Sequence, residues 1–391
     1  MIYISTLLLC IYLTWMYDVQ GYTRNKWHWY YLLLIWFIVI SGFQYMVGSD
    51  IPVYMEEYND LYNELRFDIG QYQGSRQPGW ILLCYGCRQI TNDFTLLKLI
   101  QATFVNIVIF SFFKRQSKYV FCCITLYAMS LYLLINFNIM RQSFSIGFVL
   151  LFISYYIEKR YVISVLFLFL AYMFHNSALL ALIIPIFGIM RYNRIVFVGL
   201  IISFFVLFIV LIRMDIESAT DALIKSGLLG DGMSDLSEVY MKSDRLGVRE
   251  TQIGLVRSLR TLFLLSVIFT YISRFREMYF GGLSLVYLLV LVSSFVFPIM
   301  FRFGVYFELP FYIVFSSVII EFPLGRLKQI RYLFYIFVFM FYSFFPLKEY
   351  LSRYPGAPYR YIDQYYPYHS VLNPEVENEI DHNKVNFFRW L

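Results

Sequence analysis

Four side chains in this sequence combine a reactive type with a setting at the edge of an apolar block. Arg141 stands in Asn136-Phe-Asn-Ile-Met-Arg141-Gln142-Ser143, where two apolar blocks meet with almost no connecting chain. An arginine at such a boundary can simply snorkel toward water. Snorkelling does not require Asn136, Asn138, Gln142 and Ser143 around the guanidinium, and the planar fork of arginine is the side chain best shaped to hold a phosphate or carboxylate. Arg302, in Phe297-Pro298-Ile-Met-Phe-Arg302-Phe-Gly304-Val-Tyr306, repeats the setting late in the chain. His175 lies in Phe174-His175-Asn176-Ser177 between two apolar runs. It can donate to a neighbouring carbonyl, or its near-neutral titration can serve proton transfer. Asp50, after Val47-Gly48-Ser49 and before Pro52, reads as a turn or cap residue, or as a carboxylate able to orient or deprotonate a hydroxyl.

These residues are positioned by long apolar elements. Of 391 residues, 60% are hydrophobic, only 15% are charged, and 41 are Phe and 36 Tyr. A soluble domain carries about a quarter charged residues. Apolar blocks recur with short basic punctuations between them, and each matches the roughly 20-residue helix that crosses a hydrocarbon core. The blocks predict twelve spans near 1–17, 29–46, 95–113, 119–137, 142–157, 160–174, 177–190, 195–212, 258–273, 279–298, 303–320 and 330–346. The 160–190 region reads either as two short spans broken at His175 or as one long helix. The chain is therefore expected to be an all-α polytopic membrane protein, with a transmembrane domain over 1–346 and a tail over 347–391.

Charge sets the orientation. With twelve spans, Arg24 and Lys26, Lys114 to Lys118, Lys159 and Arg160, Arg191 and Arg194, Arg274 and Arg276, and Arg326 to Arg331 fall on one side. That side is cytoplasmic by the positive-inside rule, which puts both termini and Arg141, His175 and Arg302 outside. Three long segments lie outside as well: 47–94, with an apolar stretch over 79–90 that reads as re-entrant or interfacial, then 213–257, then 347–391. The second mixes acids such as Asp244 with Arg245 and Arg249 and could lid a site. The net charge of +6 is spread in small inner-face groups, not a basic stripe, so nucleic acid is not an expected partner. The lone Cys84-Tyr-Gly-Cys87 has no second pair and no histidine at ligand spacing, which disfavours zinc. No P-loop or dinucleotide fingerprint occurs, which disfavours an ATP-driven machine.

Asn138-Ile-Met-Arg141-Gln142-Ser-Phe-Ser, followed by Phe174-His175-Asn-Ser177-Ala178, resembles the EpsG-like branch of the Wzy O-antigen and capsular polysaccharide polymerases. Gly48-Ser49-Asp50 with Tyr54 is similar to an early element of that family, Arg302-Phe-Gly-Val-Tyr306-Phe to a late one, and Tyr359-Arg360-Tyr361 through Tyr368 to its tail. Gln44 stands where the family commonly has an arginine, and 213–257 shares nothing recognisable.

The resemblance implies a glycosyltransferase-C-like helical architecture in a bacterial inner membrane, with the active site facing the periplasm. It implies transfer of an undecaprenyl-diphosphate-linked glycan onto the free end of another lipid-linked repeat unit, without metal or other cofactor. A chain-length regulator and a flippase are the partners expected. On this reading Arg141, His175, Arg302 and Asp50 carry the chemistry, and Gln142, Asn138, Tyr306, Tyr54, Arg245 and Arg249 hold substrate. An O-antigen ligase is the competing enzyme class. A flippase or other transporter is the competing non-enzyme class, and it would place charges at mid-span rather than at helix ends.

Overall fold

The computed structural model describes residues 2–67, 76–189, 202, 206, 280–294, 300–321, 328–353, 358–373 and 375–389. Among them the structure is helical, with no strand beyond two isolated bridges. Two compact units emerge. The first comprises Met1–Leu182, Ile319–Arg353 and Pro358–Leu391, and the second Ile183–Val318 and Tyr354–Ala357.

In the first unit, α1 (Ile2–Leu13) runs on through a π-helical turn to Val19, and α2 spans Lys26–Gly42. Two short helices follow, α3 (Ile51–Asp60) and α4 (Pro78–Ile90), the latter covering the stretch expected to be re-entrant or interfacial. Helix α5 (Phe94–Gln116) begins where the Asp93 side chain accepts from the Thr95 N–H at 2.9 Å, and it ends on Lys114 and Arg115. Both charges suit the helix dipole. The predicted span 119–137 is broken into α6 (Val120–Ser130) and α7 (Tyr132–Phe137). Helices α8 (Met140–Ile157) and α9 (Tyr161–Phe174) then form a tight antiparallel pair. The helix stops at His175, whose backbone is extended (φ −159°, ψ 126°), and a 3₁₀ segment Asn176–Ile183 succeeds it. That break favours the split reading of 160–190.

The second unit holds α10 (Ile184–Ile189), α11 (Phe280–Ser293) and most of α12 (Met300–Glu321), with the Tyr287 and Phe311 rings 4.8 Å apart. Helix α13 (Lys328–Leu351) returns to the first unit and leads into the tail, which carries a 3₁₀ turn Tyr361–Gln364 and the short helices α14 (Val376–Glu379) and α15 (His382–Arg389).

Among the described residues, four helical segments are long and apolar enough to cross a membrane: Ile2–Val19, Phe94–Gln116, Met140–Ile157 and Arg302–Glu321. Burial agrees with a lipid surround. On α9, Val162, Val165, Leu166 and Phe169 form an exposed stripe at helical spacing, and on α13 Leu333, Ile336, Phe337 and Met340 repeat it. Polar groups lie inside instead. Asn106 donates to the Asn136 side chain at 2.8 Å, Asn136 to the Tyr127 hydroxyl at 2.7 Å, and Gln101 to the Ser143 hydroxyl at 2.9 Å, joining α5, α6, α7 and α8. Such inward bonds hold helices together where apolar burial has no driving force. The chain is thus a membrane-embedded helical protein.

Candidate active site

Each end of the first unit has its own chemistry. At one end, Lys114 lies over the Trp27 ring, Arg115 pairs with Glu158, and Lys118 with Glu321. At the other end lie the start of α3, the start of α4, the α7–α8 junction and the tail. The turn before α3 shows why glycine is needed there. Gly48 has φ +104°, and a Cβ on it would stand 2.0 Å from the Phe137 carbonyl oxygen and 2.7 Å from the Asn138 side chain. That close approach packs the turn leading to Asp50 on the α7–α8 junction.

Arg141 is in the first turn of α8 and partly buried. Its Nη1 donates to Gln77 Oε1 at 3.1 Å, and its Nε lies 3.5 Å from the Tyr54 hydroxyl. Both partners are neutral, and no described carboxylate pairs with Arg141. Gln77 caps the start of α4, and the residue before it, Arg76, is a second guanidinium in the same place. Arg76 forms a buried ion pair with Glu57 of α3: Nε donates to one carboxylate oxygen at 3.2 Å, and Nη2 lies against the other. Burial pushes the Arg76 guanidinium down to about 10, and the nearby Arg141 charge is the next cause. It stays protonated near neutrality, so two like charges lie within electrostatic reach, one of them paired with Glu57. Asp50 is close enough to oppose that shift.

Asp50 occupies the cap position of α3, yet its carboxylate makes no cap hydrogen bond. The Ser49 hydroxyl donates to it at 3.0 Å. Tyr54, one turn on, is almost buried, its ring edge-on to Trp80 at 5.3 Å. His175 closes α9 at the same end of the α8–α9 pair as Arg141. Its Nδ1 accepts from the Ser177 N–H at 3.3 Å and lies 2.5 Å from Ser177 Oγ. Two contacts tie this turn to the Arg141 neighbourhood. Phe174 stacks on Phe144 at 4.9 Å, and a Cβ on Gly79 would meet the Met173 carbonyl oxygen at 2.7 Å, so the first turn of α4 lies directly on the end of α9.

The remaining expected residues fall in different places. Asn138 donates to the Tyr365 hydroxyl at 2.9 Å and to Gln364 Oε1 at 3.2 Å, so it holds the tail. Gln142 is buried beneath the junction. Arg302 is exposed on the first turn of α12, in the second unit, and Tyr306 one turn later is buried. Arg245, Arg249 and Asp244 lie outside the described residues.

A family comparison matches the EpsG family over residues 27–370. The chain belongs to the EpsG family. Membership ties it to polysaccharide biosynthesis and to a glycosyltransferase-like polymerase role. No curated protein and no solved structure matches the chain. Within this EpsG-family chain, the sequence reading passed over Arg76, Glu57 and Gln77 as site residues, and it missed Lys98. Lys98 is buried in α5, where its Nζ donates to Gln101 Oε1 at 2.8 Å and to the Asn136 carbonyl oxygen. It thereby supports the end of α7 from which the Asn138–Arg141 junction springs. A lone lysine within an otherwise apolar span was the available signal.

Proposed function

We propose that this chain is a polysaccharide polymerase of the bacterial inner membrane, acting at the periplasmic face. It transfers an undecaprenyl-diphosphate-linked glycan onto the free end of another lipid-linked repeat unit. The observation that carries the reading is Arg141, a guanidinium at a helix start whose described hydrogen-bond partners, Gln77 and Tyr54, are neutral, with Arg76 in electrostatic reach.

In the proposed step the acceptor hydroxyl oxygen attacks the anomeric carbon of the donor glycan. The bond from that carbon to the diphosphate oxygen breaks, and the lipid diphosphate departs with the electron pair. Negative charge grows on the leaving oxygen, where Arg141 offers charge-assisted hydrogen bonds in a partly dehydrated site. Asp50, a carboxylate not spent on capping α3, takes the hydroxyl proton. His175, with Nδ1 turned to Ser177, gives the departing diphosphate a hydrogen bond. Arg302 shares the charge-stabilising role on the family resemblance. Twelve spans with both termini outside complete the proposed architecture, with Tyr54, Asn138, Gln142, Tyr306, Arg245 and Arg249 serving the bound glycans.

The test is Arg141→Lys, which keeps the charge and loses the fork. At unchanged protein level, surface polymer should collapse to single repeat units. Wild-type chain lengths would remove Arg141 from the mechanism. Deleting the gene sorts the classes: a lost ligase leaves long unattached chains, and a lost flippase leaves no mature surface units.

A further inference from the structure

A buried guanidinium, Arg76, and a partly buried one, Arg141, within electrostatic reach of each other are an unfavourable arrangement unless something anionic joins them. Glu57 satisfies only part of Arg76. Its carboxylate takes Nε and Nη2 and leaves the Nη1 edge of the guanidinium without a described partner. Arg141 has no described carboxylate at all, and its bond to Gln77 fixes it to the residue next to Arg76. One dipeptide, Arg76-Gln77, at the start of α4 thus brings the two guanidiniums together, Arg76 as one of them and Gln77 as the partner of the other.

We propose that Arg76 is a second substrate-holding guanidinium, and that Arg76 and Arg141 together form a site for a diphosphate, one phosphate to each. This rests on the reading of Arg141 given above and extends it to a residue on another element. Glu57 has a defined part in such a site. It orients the Arg76 fork and keeps its charge hydrated by protein while the site is empty, so that Nη1 is presented without reorganisation when the anion arrives. The carboxylate of Asp50 on the same side limits the net positive charge and makes the site selective for an anion able to bridge both cations. A terminal diphosphate on a prenyl chain and free inorganic diphosphate share this chemistry.

The bland alternative is an ion pair that only ties α3 to the loop before α4. Replacing both members with apolar residues of similar volume separates the two, because such a swap commonly preserves the fold of a buried pair. The experiment measures binding of inorganic pyrophosphate, and of a polyprenyl diphosphate in nanodiscs, by thermal shift of the full-length protein, for the wild type and for the double variant Arg76→Met with Glu57→Met. The expected result is a loss of at least about tenfold in affinity in the variant with Arg141 intact, the size of one lost charge-assisted contact. If only the polyprenyl diphosphate binds the wild type and is weakened in the variant, the proposal holds and the lipid is the source. Equal binding by variant and wild type overturns it, as does failure of both probes to bind the wild type. If the variant fails to fold, Arg76→Lys with Glu57 intact replaces it, read by the same affinity loss or its absence. Binding as expected without any polymerising activity would leave the diphosphate site standing and remove the polymerase reading.

Discussion

At the scale of single residues, His175 shows how the structure sharpens a sequence reading. Its Nδ1 is engaged by Ser177, so the two ring nitrogens have different duties. Asparagine places a polar atom near Nδ1, and glutamine reaches nearer to Nε2. His175→Asn should then keep the turn and lose turnover of purified lipid-linked substrate, while His175→Gln should recover part of the turnover lost in His175→Ala. Equal turnover in all variants would assign His175 to packing of the turn. Arg141, His175 and Asp50 were legible in the sequence because each interrupts apolar text at a block edge. Arg76 and Glu57 were not, since they sit 19 positions apart on either side of a loop and only folding brings them together. Lys98 was hidden by its surroundings, because one cation among the apolar residues 95–113 barely changes the hydropathy that defines a span.

At the scale of elements, block length located the long described helices, but it gave no sign of α3, α14 or α15, of the break between α6 and α7, or of the tail's place. The tail pairs backbone to backbone with the segment after α2: Tyr45 donates to the His369 carbonyl at 3.0 Å, Val371 to Phe43 at 3.0 Å, and Gly48 to Gln364 at 2.9 Å. Partners separated by more than 300 positions leave no local periodicity to read. Gly48 is the pivot of this docking. Gly48→Ala should lower stability by about 2 kcal/mol or more, measured as a fall in the melting midpoint, since the new methyl meets backbone at a positive φ. The tail should also respond to acid. Burial lowers His369 from its ordinary 6.5, helped by Lys384 and opposed by Glu379, with Asp381 lining the same hollow. A histidine depressed in the fold binds more protons when released, so its contribution is full above 6.5 and is lost as pH falls through the folded value. Protection of the Tyr366–Leu372 amides against hydrogen exchange, taken relative to the intrinsic rate at each pH, should fall as pH drops below 6.5. His369→Gln should flatten that dependence, and an unchanged profile in the variant would place the pH effect elsewhere.

At the scale of the whole molecule, orientation can be argued twice. Positive-inside counting needs every span to be right, and Arg194 and Arg276, on which it leans, lie outside the described residues. The folded unit supplies a parity argument that needs no count. The Tyr3 ring meets Phe137 at 6.0 Å and Tyr368 at 6.2 Å, so the start of α1, the end of α7 and the tail share one end with Arg141. At the opposite end, Trp15 meets Tyr332 at 4.7 Å, and Lys114 lies over Trp27 at 4.4 Å. The chain between Tyr3 and Tyr368 must therefore cross an even number of times, whatever happens in 190–279. Reporter fusions after Arg115, Arg194 and Arg276 should read cytoplasmic, and fusions within 213–257 and beyond Leu347 should read periplasmic. A cytoplasmic signal beyond Leu347, with a periplasmic one after Arg115, would invert the molecule and carry Arg141 to the inner face with it. Opposite readings for reporters placed before Tyr3 and beyond Leu347 would be graver, because no orientation of this fold permits them.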